Sequence, residues 1–158
     1  MPTHSHGQDW LVSWWPAHDQ PAGTPHGAAG VCVTATGELV LISHDGVHWG
    51  FPAGRPEADE TTKDTLRREV AEEACAIVIS ARLLGFAHSE CVDGHQKGQT
   101  LVRSYWRADV RAEPWQPQFE IRHRRLVAAS AARDHVRDPD EAATRISFRA
   151  LDEAGLPR

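Results

Sequence analysis

Glu69, Glu72 and Glu73 stand in the run Leu66-Arg67-Arg68-Glu69-Val70-Ala71-Glu72-Glu73-Ala74. At helical spacing their carboxylates share one patch, within about one third of a turn of each other. Like charges so placed repel and destabilise a helix. A hard divalent cation offsets that repulsion. Mg²⁺ prefers carboxylate oxygens and keeps waters and phosphate oxygens as its remaining ligands. The pattern therefore points to metal-assisted phosphate chemistry. The competing interpretation is a solvated acidic face, the usual meaning of a charge run.

The patch needs a helix to carry it. Thr61 with Asp64 three residues on makes a capping-box-like start. Leu66, Val70 and Ala74 recur every four residues and give that helix an apolar face. Before it, Phe51-Pro52-Ala53-Gly54 runs strand-like sequence into a Pro/Gly turn.

The stretch resembles the signature of the Nudix hydrolases, G-x5-E-x7-R-E-U-x-E-E-x-G-U with U a bulky aliphatic. Gly54, Glu60, Arg68, Glu69, Val70, Glu72 and Glu73 match in register. Cys75 stands where the family has its second Gly, at a turn where a left-handed residue is often needed, and Ala76 is small for the final aliphatic. The resemblance implies an α/β fold, a Nudix-type α/β/α sandwich with a mixed central sheet. It covers residues 27–158, behind a Trp-rich N-terminal segment of residues 1–26.

The resemblance also implies site roles. Glu69, Glu72 and Glu73 would hold Mg²⁺ or Mn²⁺, joined by the backbone carbonyl of Ala53. Arg68 would orient the loop by pairing with Glu60 or Glu69, and Gly54 and Glu60 would shape that loop. A later glutamate would act as general base: Glu120 is the leading candidate, Glu113 and Glu90 its rivals. The implied reaction is hydrolysis of a phosphoanhydride in a nucleoside diphosphate linked to another moiety, by direct attack of water on phosphorus. The alternative is a non-catalytic Nudix-fold nucleotide-binding module, although such domains usually lose box glutamates that this chain keeps. Isomerase chemistry on an isoprenyl diphosphate would need further catalytic Cys and Glu residues that are not evident. About fifteen residues past the box stand Cys91, Val92 and Asp93. The proline and tyrosine that mark two Nudix subfamilies are thus missing, and the substrate stays at the level of its class.

The residues outside the box add weaker signals. Trp49 reads as core or pocket wall. Arg122 and Arg124 are candidate clamps for substrate phosphates, against the alternative of a solvated basic strand edge. Trp10, Trp14 and Trp15 precede Pro16 and are too apolar to leave wet. The segment docks on the domain or on a second subunit, which allows a homodimer, or it offers an aromatic shelf to a base.

At 158 residues the chain suits one domain with a substantial core. A net charge of -5 argues against general nucleic-acid binding. It is compatible with a small phosphorylated substrate, because bound cations invert the local field. No apolar run is long enough to span a bilayer, and no basic-then-apolar leader opens the sequence. Cys32, Cys75 and Cys91 are odd in number and lack C-x-x-C spacing, which suggests free thiols in a reducing cytoplasm.

In chain order, strands are expected at residues 28–35, 39–43, 77–80, 82–88 and 100–110. A polar loop is expected at 90–98, a strand-like segment at 119–127 and a helix at 128–136. A last helix should run from about 138 to 153. On the 100–110 strand, Leu101, Arg103, Tyr105 and Arg107 share one face. The order of strands, helix, strands and C-terminal helices predicts a mixed sheet with helices on both faces.

Overall fold

The structure, a computed structural model, describes residues 1–158. Its strands are β1 (Pro2–Ser5), β2 (Gln8–Pro16), β3 (Thr24–Thr34), β4 (Glu38–Ser43), β5 (Ala53–Gly54), β6 (Ala76–Asp93), β7 (Thr100–Ala112) and β8 (His123–Ala128). Its helices are α1 (Thr62–Ala74), α2 (Ala132–His135), which follows a 3₁₀ turn at Ala129–Ala131, and α3 (Glu141–Glu153). No helix is long and apolar enough to cross a membrane.

The strands form one sheet in the order β1-β2-β6-β7-β3-β4-β8, with β5 paired to β3. β3 and β7 run parallel, and every other pairing is antiparallel. The sheet is therefore mixed. Its two faces follow from side-chain alternation along each strand. On β3 and β4, Ala29, Val31, Val33, Leu39 and Leu41 face a core closed by Ile146, Ala150 and Leu151 of α3 and Ala132 of α2. Ala28, Cys32, Val40 and Ile42 face the other way, onto Leu66, Val70 and Ala74 of α1. This is the expected α/β/α sandwich.

Several elements add to the sequence expectation or differ from it. The N-terminal segment is a hairpin, β1–β2, whose second strand pairs with β6 from Asp9↔Asp93 to Pro16↔Gly85. Trp14 lies against Gly85, where a Cβ would collide with its indole ring, and meets Tyr105 at a centroid distance of 5.6 Å. Residues 76–93 form one continuous strand, since its register shifts at 78/80 and 83/85 bend it without ending it. The polar loop accordingly starts after Asp93. Residues 128–136 yield only the 3₁₀ turn and one helical turn. The last helix begins at Glu141, because Asp140 caps it by accepting from the Ala143 amide at 2.8 Å.

Candidate functional site

α1 starts as its sequence dictates. Thr61 Oγ1 accepts from the Asp64 amide, and the Asp64 carboxylate accepts from the Thr61 amide, a complete capping box. The helix ends at Cys75, whose φ of 49° and ψ of 50° are left-handed. Between these caps, the apolar face seats α1 on the sheet and leaves Arg68, Glu69, Glu72 and Glu73 on the opposite side.

Arg68 organises that side. Its Nε donates to Glu60 Oε2 at 2.8 Å and its Nη2 to Glu60 Oε1 at 3.0 Å, a bidentate fork. Nη1 donates to Glu69 Oε1 at 2.6 Å and to Glu72 Oε2 at 3.3 Å, and Nη2 also reaches the Arg55 carbonyl. The guanidinium thus ties the loop before α1 to the helix. Glu60 gains further donors from the Glu57 amide and the buried Thr65 hydroxyl. Together, and with the Arg68 bonds foremost, they hold its carboxyl down at about 2.

Glu73 is the strained member of the patch. Its Oε1 accepts from the Ala53 amide at 2.8 Å. Burial nevertheless pushes its carboxyl up to about 7, with the Glu69 and Glu72 charges adding to the shift. Glu69 is raised as well, because burial outweighs its ion pair with Arg68. Gly54 lies against Glu69: a Cβ there would land on the Glu69 carboxylate. Only a residue without a side chain leaves room for that carboxylate.

The three glutamates line one cavity of about 270 Å³ together with Gln118, Phe119, Glu120 and Ile121. The structure therefore brings Glu120 to the carboxylates across 47 or more residues of sequence. Glu113 instead pairs with Arg111 at 3.3 Å. Glu90 sits in β6, opposite Leu11 and Thr100.

A divalent ion fits this donor set. Glu69 Oε2, Glu72 Oε1 and Glu73 Oε2 make no hydrogen bond, while their partner oxygens are held by Arg68 or Ala53. As the side chains stand, no three His, Cys, Asp or Glu converge closely enough to hold an ion by themselves. An all-oxygen set with waters completing the shell suits Mg²⁺ or Mn²⁺, which are bound by few carboxylates. A cation also relieves the burial of Glu73 as an anion.

Two candidate substrate contacts are engaged elsewhere. Arg124 does not face a phosphate: its Nη1 donates to the carbonyls of Ala74, Cys75 and Glu113 at 3.0, 3.3 and 2.8 Å. It caps the C-terminus of α1, where carbonyls lack helical partners and a cation is favoured. Its guanidinium also lies over Trp115. Trp49 belongs to the core on the α3 side, away from the carboxylates, with Arg125 4.1 Å over its ring and its Nε1 donating to Gly46. Arg122 is exposed beside Ile121, and only its amide is engaged, with the Ser43 carbonyl.

Sequence reasoning missed His26, Arg55 and Arg103. Arg103 lies close enough to Glu73 to act on its carboxylate, and both arginines act on His26. The alternation of β7 marked the Arg103 face. That β3 is the parallel partner, which brings this face to the site, had no local signal.

A family profile described as the NUDIX domain matches residues 24–150. No curated protein matches the chain. Among solved structures, the Bacillus subtilis pyrophosphohydrolase BsRppH, as a point mutant, superposes with a TM-score of 0.68 at 22% identity, covering 98% of each chain. A NUDIX hydrolase from Nitrosomonas europaea gives 0.61 at 19% identity, over 86% of this chain and 92% of its own. A MutT NUDIX hydrolase from Burkholderia pseudomallei gives 0.57 at 24% identity, over 82% and 98%. At these identities the likeness is one of fold.

Proposed function

The chain belongs to the NUDIX family of hydrolases, and on that premise we propose that it cleaves a phosphoanhydride bond in a nucleoside diphosphate linked to a second moiety. Glu69, Glu72 and Glu73 would hold the ion, Mg²⁺ or Mn²⁺, with the Ala53 carbonyl as a further ligand. When bound, such an ion neutralises phosphate oxygens and acidifies water.

The chain's own residues do the rest. Arg68 fixes Glu69 and Glu72 while Glu60 fixes Arg68. Glu120, on the same cavity wall, takes the proton of the attacking water. Arg122, exposed and next in sequence to the lining residue Ile121, is a candidate phosphate contact. Water attacks phosphorus directly, and no Ser or Cys stands in the cavity to form a covalent intermediate. Residues 27–158 form the catalytic unit, and the substrate is a small molecule in the cytoplasm. The net charge of -5 argues against general nucleic-acid binding.

One observation carries this reading: three carboxylates, one of them raised to about 7, line a single cavity with Glu120 and each keep an oxygen without a partner. The test is a panel of nucleoside diphosphate derivatives with product identification, in Mg²⁺ and in EDTA. Mg²⁺-dependent release of a nucleoside monophosphate is expected. Tight nucleotide binding with no turnover of any member would establish the non-catalytic module instead.

A further inference from the structure

A cleft with two lobes shares no lining residue with the carboxylate cavity but approaches it at Arg55, which follows Gly54, the residue that abuts Glu69. One lobe, of about 310 Å³, is lined by His26, Arg103, Tyr105 and Asp140 among others. The second, of about 480 Å³, is lined by Gln8, Trp10, His26, Arg55 and Gln99 among others. Thr3, Ser5 and His26 belong to both, so the lobes adjoin.

The cleft holds two arginines, Arg103 and Arg55, whose guanidiniums have no ion-pair partner. Arg103 is half-buried on β7, opposite Gly27 of β3 and Ala87 of β6. Its guanidinium enters no ion pair, and neither does that of Arg55. The only carboxylate on either lining is Asp140, whose Oδ1 is occupied as the cap of α3. Burial, reinforced by Arg103 and Arg55, pushes His26 down to about 4. A half-buried arginine with no partner lacks the hydrogen bonds that such groups normally have. An anion from outside the chain supplies them, and the planar fork of arginine matches a phosphate.

The larger lobe has a different character. Gln8 Nε2 donates to Gln96 Oε1 at 2.7 Å, Gln96 Nε2 donates to Gln99 Oε1 at 2.6 Å, and the Gln96 amide donates to Gln8 Oε1 at 2.8 Å. The chain of amides fixes the direction of each group and leaves Gln99 Nε2 as a donor on the cleft wall. Six of the 13 residues lining this lobe are Thr3, Ser5, His6, Gln8, Trp10 and Val12. All six come from the β1–β2 hairpin, and all precede the family-matched segment of residues 24–150. A wall of oriented neutral donors and acceptors with an aromatic edge suits a polar heterocycle.

We propose that this cleft holds the part of the substrate that is not attacked: a phosphate on Arg103 and Arg55, and the nucleoside behind it against the β1–β2 hairpin. The inference rests on the hydrolase reading above and adds to it the residues that select the substrate. Arg103 lines the cleft and pairs with Gly27, which abuts Gly54 beside Glu69, and this sets the order along the substrate: the attacked phosphorus at the glutamates, the second phosphate at Arg103, then the nucleoside.

Calorimetric titration with α,β-methylene ADP, α,β-methylene GDP and methylenebisphosphonate tests this without requiring turnover. At least one nucleoside analogue should bind the wild type tenfold or more tightly than methylenebisphosphonate. Arg103→Met should weaken all three probes at least tenfold, with Arg103→Lys recovering part of the loss. Ser5→Trp, which fills the shared wall, should remove the advantage of the nucleoside and spare methylenebisphosphonate. Arg103→Met keeps the test decisive where the hairpin variant fails to fold. Unchanged binding to Arg103→Met, no nucleoside advantage in the wild type, or an advantage retained in folded Ser5→Trp overturns the proposal. Binding as described with no hydrolysis of any diphosphate sinks the hydrolase reading and leaves the cleft standing. Hydrolysis with a KM indifferent to Arg103→Met does the reverse.

Discussion

Arg68 grips Glu60 with two parallel hydrogen bonds, at 2.8 and 3.0 Å, while its third nitrogen holds Glu69 at 2.6 Å. One planar group thus fixes the loop before α1 against a candidate metal ligand. Lysine keeps the charge but cannot reproduce the fork. Arg68→Lys should lower metal affinity or turnover roughly 10–100-fold, the usual loss when a residue that orients a ligand is changed. The check is a Mg²⁺ titration beside kcat, with circular dichroism showing the fold retained. An unchanged Mg²⁺ affinity and kcat would mean that the fork positions nothing.

Gly54 gives a second handle on Glu69. A methyl group at that position overlaps the Glu69 carboxylate. Gly54→Ala should therefore displace a candidate ligand without touching any acidic residue, and weaken Mg²⁺ binding on the order of tenfold or more. Titration of the variant beside Glu69→Gln reads this. A Gly54→Ala protein with wild-type affinity would show that Glu69 holds no ion.

Glu73 predicts a pH signature. Its carboxyl stands at about 7 in the folded chain, against an ordinary value of 4.5. The folded state binds that proton more tightly than the unfolded state. Its contribution to stability is therefore fully present below about 4.5 and is lost as pH rises through about 7. His26 works in the opposite sense, since it is pushed from 6.5 down to about 4: its contribution is present above 6.5 and is lost as pH falls through about 4. Comparing wild type with Glu73→Gln isolates the first effect. In EDTA, the melting temperature of Glu73→Gln should gain on that of wild type between pH 5 and pH 8. Mg²⁺ should close or reverse the gap at pH 8, because an ion that binds only the folded state stabilises it. A gap independent of pH and Mg²⁺ would contradict the burial of Glu73 as an acid.

The features of α1 were legible because they are local. The Thr61 cap, the Leu66, Val70 and Ala74 face and the clustering of three glutamates all follow from helical spacing. The gapped signature added the Arg68–Glu60 pair, eight residues apart. What escaped depends on pairings between distant segments. The parallel pairing of β3 with β7 sets Gly27 beside Arg103, 76 residues on, and nothing near either residue announces it. The N-terminal tryptophans showed that their segment must dock, but their composition could not name β6 as the partner. Arg124 misled because a strand-edge arginine looks the same in sequence whether it meets a phosphate or the carbonyls that end a helix.

Cys75 occupies a left-handed position at the end of α1, and its Sγ lies 3.3 Å from the Gln116 carbonyl. The left-handed conformation costs an ordinary residue roughly 1–2 kcal/mol, while glycine loses more chain entropy on folding. Cys75→Gly should gain about 0.5–1 kcal/mol, or about 1–4 °C in melting temperature for a chain of this size, with turnover unchanged. A folded variant with a large loss of turnover would assign the thiol a chemical role.

The central claim is that water attacks phosphorus at the glutamate patch. It is tested by hydrolysing a nucleoside diphosphate derivative in ¹⁸O-water with Mg²⁺ and locating the label by mass spectrometry. One ¹⁸O in a single phosphate product is expected, with Glu73→Gln depressing kcat far more than KM because charge neutralisation matters most in the transition state. Label in the non-phosphate product would mean cleavage at carbon and would contradict the account.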